Sequence, residues 1–189
     1  MSKLIKMHEL TDKLLKQYRV VIFGEMHIPV ERDLIESWIR YGHFNILVSE
    51  ECGELFAMTQ QTIKKAIKNG YYSISDRSYK LGLELGISVI GCDSWDPDTF
   101  TKDKKDDNGL YTNCKRSFEI REKQMEKVIK TVSQWGLENP DRKRVAVIIG
   151  DSHLRERTNQ IMGKRSILSL QETFGDDVLI VRSDISEVK

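Results

Sequence analysis

Two short segments of the chain share one form. Gly24-Glu25-Met26-His27 follows the apolar run at 19–23, and Gly150-Asp151-Ser152-His153 starts on the last residue of the apolar run at 144–150. Imidazole has an ordinary pKa close to neutrality, so it can accept or release a proton, and its neutral form ligates metals. Carboxylates stand in matching places. Glu50 and Glu51 follow the run at 45–49, and Asp93 follows the run at 87–91. Imidazoles beside carboxylates at the ends of buried strands can carry general acid–base or metal-assisted chemistry.

The elements that position these groups are legible in the hydrophobic pattern. The runs at 19–23, 45–49, 87–91 and 144–150, and a fifth at 177–183, are short, β-branched and nearly continuous. Continuous apolar runs suit strands buried on both faces of a parallel sheet. Helical periods lie between them, at 2–17, 30–40, 54–69, 76–85, 115–135 and 153–162. Pro29 suits a first helical position, and Gly86 a C-terminal cap. In the second helix Val30, Leu34, Ile35, Trp38 and Ile39 recur at spacings of three and four. Alternating strands and helices predict an α/β fold, a mostly parallel sheet flanked by helices on both faces, in one domain over 1–189. The polar, aperiodic stretch at 94–113 is expected to be an insertion or a lid over the site.

In an open parallel sheet ligands bind beyond the carboxyl ends of the strands. That rule gathers Glu25, His27, Glu50, Asp93, Asp151 and His153 at one edge. The long helix adds to them. Its apolar stripe runs through Phe118, Met125, Ile129 and Val132, and Arg121 and Glu122 lie three and four residues after Phe118. Both therefore point inward near the same edge, where a charge needs a partner. For Arg121 that partner is expected to be Glu25, Glu50 or Asp93 across the cleft. Strand alternation turns Glu50 inward and Glu51 away. His8 and His43 fall on a helix surface and at the opposite edge, and are read as exposed or structural.

Composition bounds the function. The 189 residues hold 30 basic and 29 acidic side chains, a formal net charge of +1, so no overall field recruits nucleic acid. No apolar stretch reaches the roughly 18 residues of a membrane span. The charged N-terminus is not a signal peptide, and Cys52, Cys92 and Cys114 show no CxxC spacing. A cytoplasmic protein acting on a small molecule or peptide, without nucleic acid or membrane, is the expectation.

In order along the chain stand GEMH, VSE, GCD, FEIREKQM and GDSH. This set, spanning about residues 19 to 182, resembles the superfamily that groups TIKI and TraB proteins with erythromycin esterases and the ChaN haem-binding lipoproteins. The resemblance implies His27 and His153 as facing histidines, Glu50 as the acid after the second strand, and Arg121 as the helix arginine. Glu25 matches the Gly-Glu-x-His form of the esterase and ChaN branches. Hydrolysis is the common theme the resemblance implies. The chain lacks the helical insertions of the esterases and the signal and lipid attachment of ChaN, so neither a macrolide nor haem is carried over as its ligand.

Two mechanisms suit these residues. His27, Glu50 and His153 could hold a divalent metal such as zinc, manganese or cobalt, whose bound water Glu25 or Glu50 deprotonates. Alternatively His27 activates water directly, held by a carboxylate, while His153 and Arg121 face the developing oxyanion. Asp93 and Glu122 would then contact substrate. A pocket that binds a small ligand or cofactor without turnover is the alternative. A serine esterase using Ser152 in GDSHL is third, weakened because no histidine follows His153.

Overall fold

The computed structural model describes residues 3–50, 57–58, 77–93, 114–138, 143–155, 170–175 and 177–185. Seven strands form one sheet: β1 (Lys3–Lys6), β2 (Val20–Glu25), β3 (Ile46–Ser49), β4 (Ala57–Met58), β5 (Ser88–Gly91), β6 (Val145–Gly150) and β7 (Val178–Arg182). Their order is β1-β7-β2-β6-β3-β5-β4. Every neighbouring pair is parallel except β4–β5. Among the described residues the α-helices are α1 (Asp12–Gln17), α2 (Pro29–Gly42), α3 (Arg77–Leu85) and α4 (Cys114–Glu138).

The five apolar runs are the five inner strands, β2, β3, β5, β6 and β7, and each serves two cores. Val21, Phe23, Leu47, Ala146 and Ile148 pack with Leu15 of α1, Ile35 and Ile39 of α2 and Leu81 of α3. The alternate residues Val20, Ile22, Ile46, Val48, Val145, Val147 and Ile149 pack with Met125, Val128 and Ile129 of α4. The period-2 alternation of strand side chains thus feeds two apolar faces, and both are covered. This is the expected α/β architecture.

The winding reverses at the middle of the sheet. From β2 the chain enters α2 on the first face. From β6 it enters a 3-10 turn, Asp151–Leu154, whose Leu154 joins the second core. Adjacent strands whose chains leave on opposite faces open a crevice between their carboxyl ends. Here those ends are in register, Glu25 against Gly150.

Several expectations gave way. The pattern at 2–17 is not one helix but β1, a 3-10 turn at Met7–Glu9 and then α1. The open edge of β7 takes up residues 3–6 in a parallel ladder, and Thr11 Oγ1 caps α1 by accepting from the Leu14 N–H at 3.3 Å. Within the 54–69 pattern, Ala57–Met58 pairs antiparallel with β5; the rest lies outside the described residues. The helix expected at 153–162 begins instead as the 3-10 turn, and residues 156–162 also lie outside. In α2, Val30 and Leu34 are exposed, while Arg32 and Glu36 are buried beside Ile35 and Ile39. Helices 76–85 and 115–135 are present as α3 and α4, and Gly86 takes the left-handed φ of a helix-ending residue, +71°. The stretch 94–113 and Glu51 lie outside the described residues. No helix among the described residues is long and apolar enough to cross a membrane.

Candidate functional site

Strand parity sends the acids to different sides. Glu25 has the parity of Val21 and Phe23, so it turns toward α2, and Ser49 has that of Leu47, toward α3. Glu50 has the parity of Ile46 and Val48, so it turns toward α4. Each acid meets an arginine, Arg32 fully buried and Arg121 partly so. Glu25 Oε1 accepts from Arg32 Nη1 at 2.9 Å. Glu50 Oε1 accepts from Arg121 Nη2 at 2.7 Å. Arg121 also donates to Asp93, through Nε at 2.9 Å to Oδ1 and Nη2 at 2.7 Å to Oδ2. The arginine at the start of the long helix thus finds two of the three carboxylates expected for it, and Glu25 goes to Arg32.

His153 lies beneath this cluster, with its side chain 2% exposed. Its Nδ1 is 3.2 Å from Glu122 Oε1 and its Nε2 is 3.6 Å from Glu50 Oε1. Burial by itself would lower the imidazole pKa, but Glu122 and Glu50 outweigh it and raise it to about 9. His153 is therefore an imidazolium at neutral pH. Burial likewise opposes the charge on Glu50, yet His153, the Gly150 N–H and Arg121 hold its carboxyl down to about 2. The Gly150 N–H donates to Glu50 Oε2 at 2.5 Å.

His27 differs. Its side chain is 59% exposed, and its backbone sits at φ +56°, a left-handed conformation that a non-glycine residue adopts at some cost. The turn that carries it is pinned from α2, where Glu31 Oε2 accepts from the Met26 N–H at 2.6 Å. Its Nδ1 lies 3.4 Å from Glu25 Oε1. Burial pushes against the Glu25 charge, but His27 and Arg32 prevail and lower its pKa.

The two motif glycines mark where these groups converge. A Cβ on Gly150 would lie 3.2 Å from Glu50 Oε2, 3.3 Å from His27 Nε2 and 3.6 Å from His153 Cδ2. Both histidines and Glu50 thus stand over one bare Cα at the end of β6. A Cβ on Gly24 would lie 2.5 Å from Asp151 Oδ1. Asp151 itself faces away from the cleft. It accepts from Arg182 Nε at 2.8 Å, Arg155 Nε at 2.7 Å and the Ser183 N–H at 2.9 Å, and so fastens β6 to β7.

The expected metal ligands are arranged otherwise. Glu50 spends one oxygen on Arg121 and the other on the Gly150 N–H, and both nitrogens of His153 face carboxylates. Among the described residues no three His, Cys, Asp or Glu side chains are grouped as a metal ion requires. These donors suit an ion-paired imidazolium. His153 is for the same reason poorly placed to serve Ser152 as a base. His43 is exposed and caps α2 with a left-handed φ of 51°; His8 is exposed and pairs with Asp184 at 2.7 Å.

No family model and no curated protein matches the chain. Among solved structures it is similar to RRSP, a MARTX toxin effector domain from Vibrio vulnificus CMCP6, with a TM-score of 0.52 and 14% identity. The match covers 92% of this chain and 35% of that one, so this chain spans about a third of the toxin chain's length. The likeness is one of fold. The chain is also similar, with a TM-score of 0.38 and 14% identity, to ChaN of Campylobacter jejuni, solved in a study of its cofacial heme binding; that match covers 94% of this chain and 85% of the other.

Three residues behind the site were missed in the sequence: Arg32, Glu36, whose Oε1 accepts from Arg32 Nε at 3.2 Å, and Ser78, whose Oγ accepts from Arg32 Nη2 at 2.6 Å. The only signal was Arg32 and Glu36 at a spacing of four, which on most helices marks a solvated pair.

Proposed function

We propose that the carboxyl edge between β2 and β6 binds a small polar ligand, and that its chemistry is hydrolytic, with His27 as general base. One observation carries this reading. Glu25, buried and held by Arg32, lies 3.4 Å from Nδ1 of an exposed histidine whose Nε2 faces the Gly150 floor. A carboxylate on one ring nitrogen orients the imidazole and supports its charge when the ring takes a proton from water.

The other groups supply charge. The imidazolium of His153 and the guanidinium of Arg121 lie on the α4 side of the same floor, where an oxyanion would develop. Glu50 and Asp93 neutralise them at rest and fix their positions. The placement of Glu50, tied at both oxygens, favours a positioning role over that of base. The resemblance to the esterase and TIKI superfamily agrees with hydrolysis as the reaction class.

A second reading is binding without turnover. It is favoured by the pairing of Glu50, Asp93, Arg121 and His153 with one another, while His27 is mostly in solvent. The test uses purified protein against generic ester and peptide substrates, with metal content measured on the same sample. Turnover that disappears in His27→Ala supports the hydrolase. Unchanged turnover in that variant overturns it, and a retained small molecule without turnover selects the binding protein. Stoichiometric zinc, manganese or cobalt would restore a metal-assisted mechanism.

A further inference from the structure

Half of the exposed large apolar side chains among the described residues fall between residues 28 and 41: Ile28, Val30, Leu34 and Tyr41. Val30, at 77%, is the most exposed of them all. The last three belong to α2, and with Ser37 they stand four, three and four residues apart. That spacing makes one seam along the helix, on the side opposite the buried Ile35 and Ile39. Apolar side chains scattered singly over a surface need no explanation, but a row of them along one helix marks an interface.

The seam is prepared for contact. Tyr41 is fixed at one end of it. Its hydroxyl donates to Asp12 Oδ2 at 2.6 Å and accepts from Lys16 Nζ at 2.9 Å, and its ring meets Trp38 edge-on with centroids 6.2 Å apart. An aromatic already held in place loses little freedom when a partner covers it. Ser37 is the gap in the row. Its hydroxyl turns back on the helix, 3.0 Å from Asp33 O and 3.1 Å from Leu34 O. A leucine laid over it would strand no donor.

The charges beside the seam select the occupant. Asp12, Asp33 and Glu84 stand against Lys16, Arg40 and Arg77, paired with one another across α1, α2 and α3 or through the Tyr41 hydroxyl. Three of each sign favour neither an anionic membrane nor a partner of one sign. They suit a surface that meets its own copy. Asp33 and Arg40 are seven residues apart, so they lie on the same flank of α2. Two such helices side by side in antiparallel sense set Asp33 of each against Arg40 of the other, whereas the parallel sense sets like against like.

We infer that two copies of this chain associate through α2, antiparallel about a two-fold axis, with Leu34 of each laid over Ser37 of the other and Val30 against Tyr41. The 14 residues of α2 span about 21 Å. One such helix pair buries less than the roughly 1,200 Å² of a standard interface, so the association is weak and set by concentration. Val30 follows His27 by three residues, so the second copy stands beside the turn that carries that histidine. The inference does not depend on what reaction, if any, the cleft performs.

Sedimentation equilibrium of the full chain between about 10 μM and 1 mM tests it. The mean mass should climb from one copy toward two, with half the chains paired at on the order of 100 μM. Val30→Lys and Leu34→Lys place a charge at exposed positions that the fold tolerates, and each should leave a monomer throughout. Asp33→Lys should weaken association about tenfold, and adding Arg40→Glu to it should restore the wild-type value. A wild type that is monomeric at every concentration overturns the inference, as does a dimer that Leu34→Lys leaves intact. A folded double variant no tighter than Asp33→Lys overturns it too; if the double variant does not fold, the Leu34→Lys result decides alone. A monomer that instead sediments with phosphatidylglycerol vesicles, and ceases to do so in Val30→Lys, would give the seam to a membrane surface and likewise overturn the dimer.

Discussion

Glu25 ends β2 and Glu50 directly follows β3, strands that flank the same neighbour, β6, yet they turn to opposite faces of the sheet and are neutralised by different arginines, Arg32 and Arg121. The cleft is thus bounded by two separate ion-pair networks that meet over Gly150. Substitutions on the two sides should have distinguishable effects.

The His153 cluster makes stability depend on pH at both ends. The His153 pKa is raised from 6.5 to about 9, so its contribution is complete below 6.5 and is lost as pH rises through 9. The Glu50 pKa is lowered from 4.5 to about 2, so its contribution is complete above 4.5 and is lost as pH falls through 2. Both are complete between 4.5 and 6.5. Urea denaturation should show a decline from pH 6.5 to pH 9 of up to ~3 kcal/mol, which His153→Gln removes. A flat profile in the wild type would show that Glu122 and Glu50 do not hold the proton.

Arg121→Ala should be costly, because it strands Glu50 and Asp93 without their shared cation. A loss of about 3 kcal/mol is expected from chemical denaturation. Arg121→Lys keeps a charge but cannot reach both carboxylates, so about 1 kcal/mol should go, together with any turnover. Wild-type stability in Arg121→Lys would argue against the fork geometry.

His27 stands mostly in solvent at φ +56°, a backbone conformation that glycine adopts without cost. His27→Gly should match or exceed wild-type stability, by up to ~1 kcal/mol, while ligand binding or turnover disappears. Thermal melting checks the first half and ligand titration the second. A clear loss of stability would mean the histidine braces the turn.

The two motif glycines should behave differently. Gly24→Ala drives a methyl into the Asp151 side chain at 2.5 Å and its Cα at 3.2 Å, and so should destabilise by about 2 kcal/mol or more. In Gly150→Ala the methyl meets Glu50, which is tied down, and His27, which can swing outward. That variant should fold with a smaller loss, about 1 kcal/mol, and lose function. Parallel melts and activity assays of the pair decide it.

Much of this site follows from local pattern. Five apolar runs became the inner strands because continuous β-branched segments can be satisfied only by burial on both faces. Parallel strands then bring their carboxyl ends together, which is why His27, Glu50, Asp93 and His153 could be gathered from sequence. Arg121 and Glu122 followed from helical period, since position on a helix face depends only on spacing. Only the tertiary structure decided the rest. An edge strand at Lys3–Lys6 exists because β7 offers it unpaired backbone. The buried face of α2 is charged: Arg32 and Glu36 lie inside, and Val30 and Leu34 outside. Hydrophobic period cannot foresee that, because a charged side chain is buried only when a partner waits for it. Those partners, Glu25 and Ser78, are brought to Arg32 by the sheet and by α3, not by their distance along the chain.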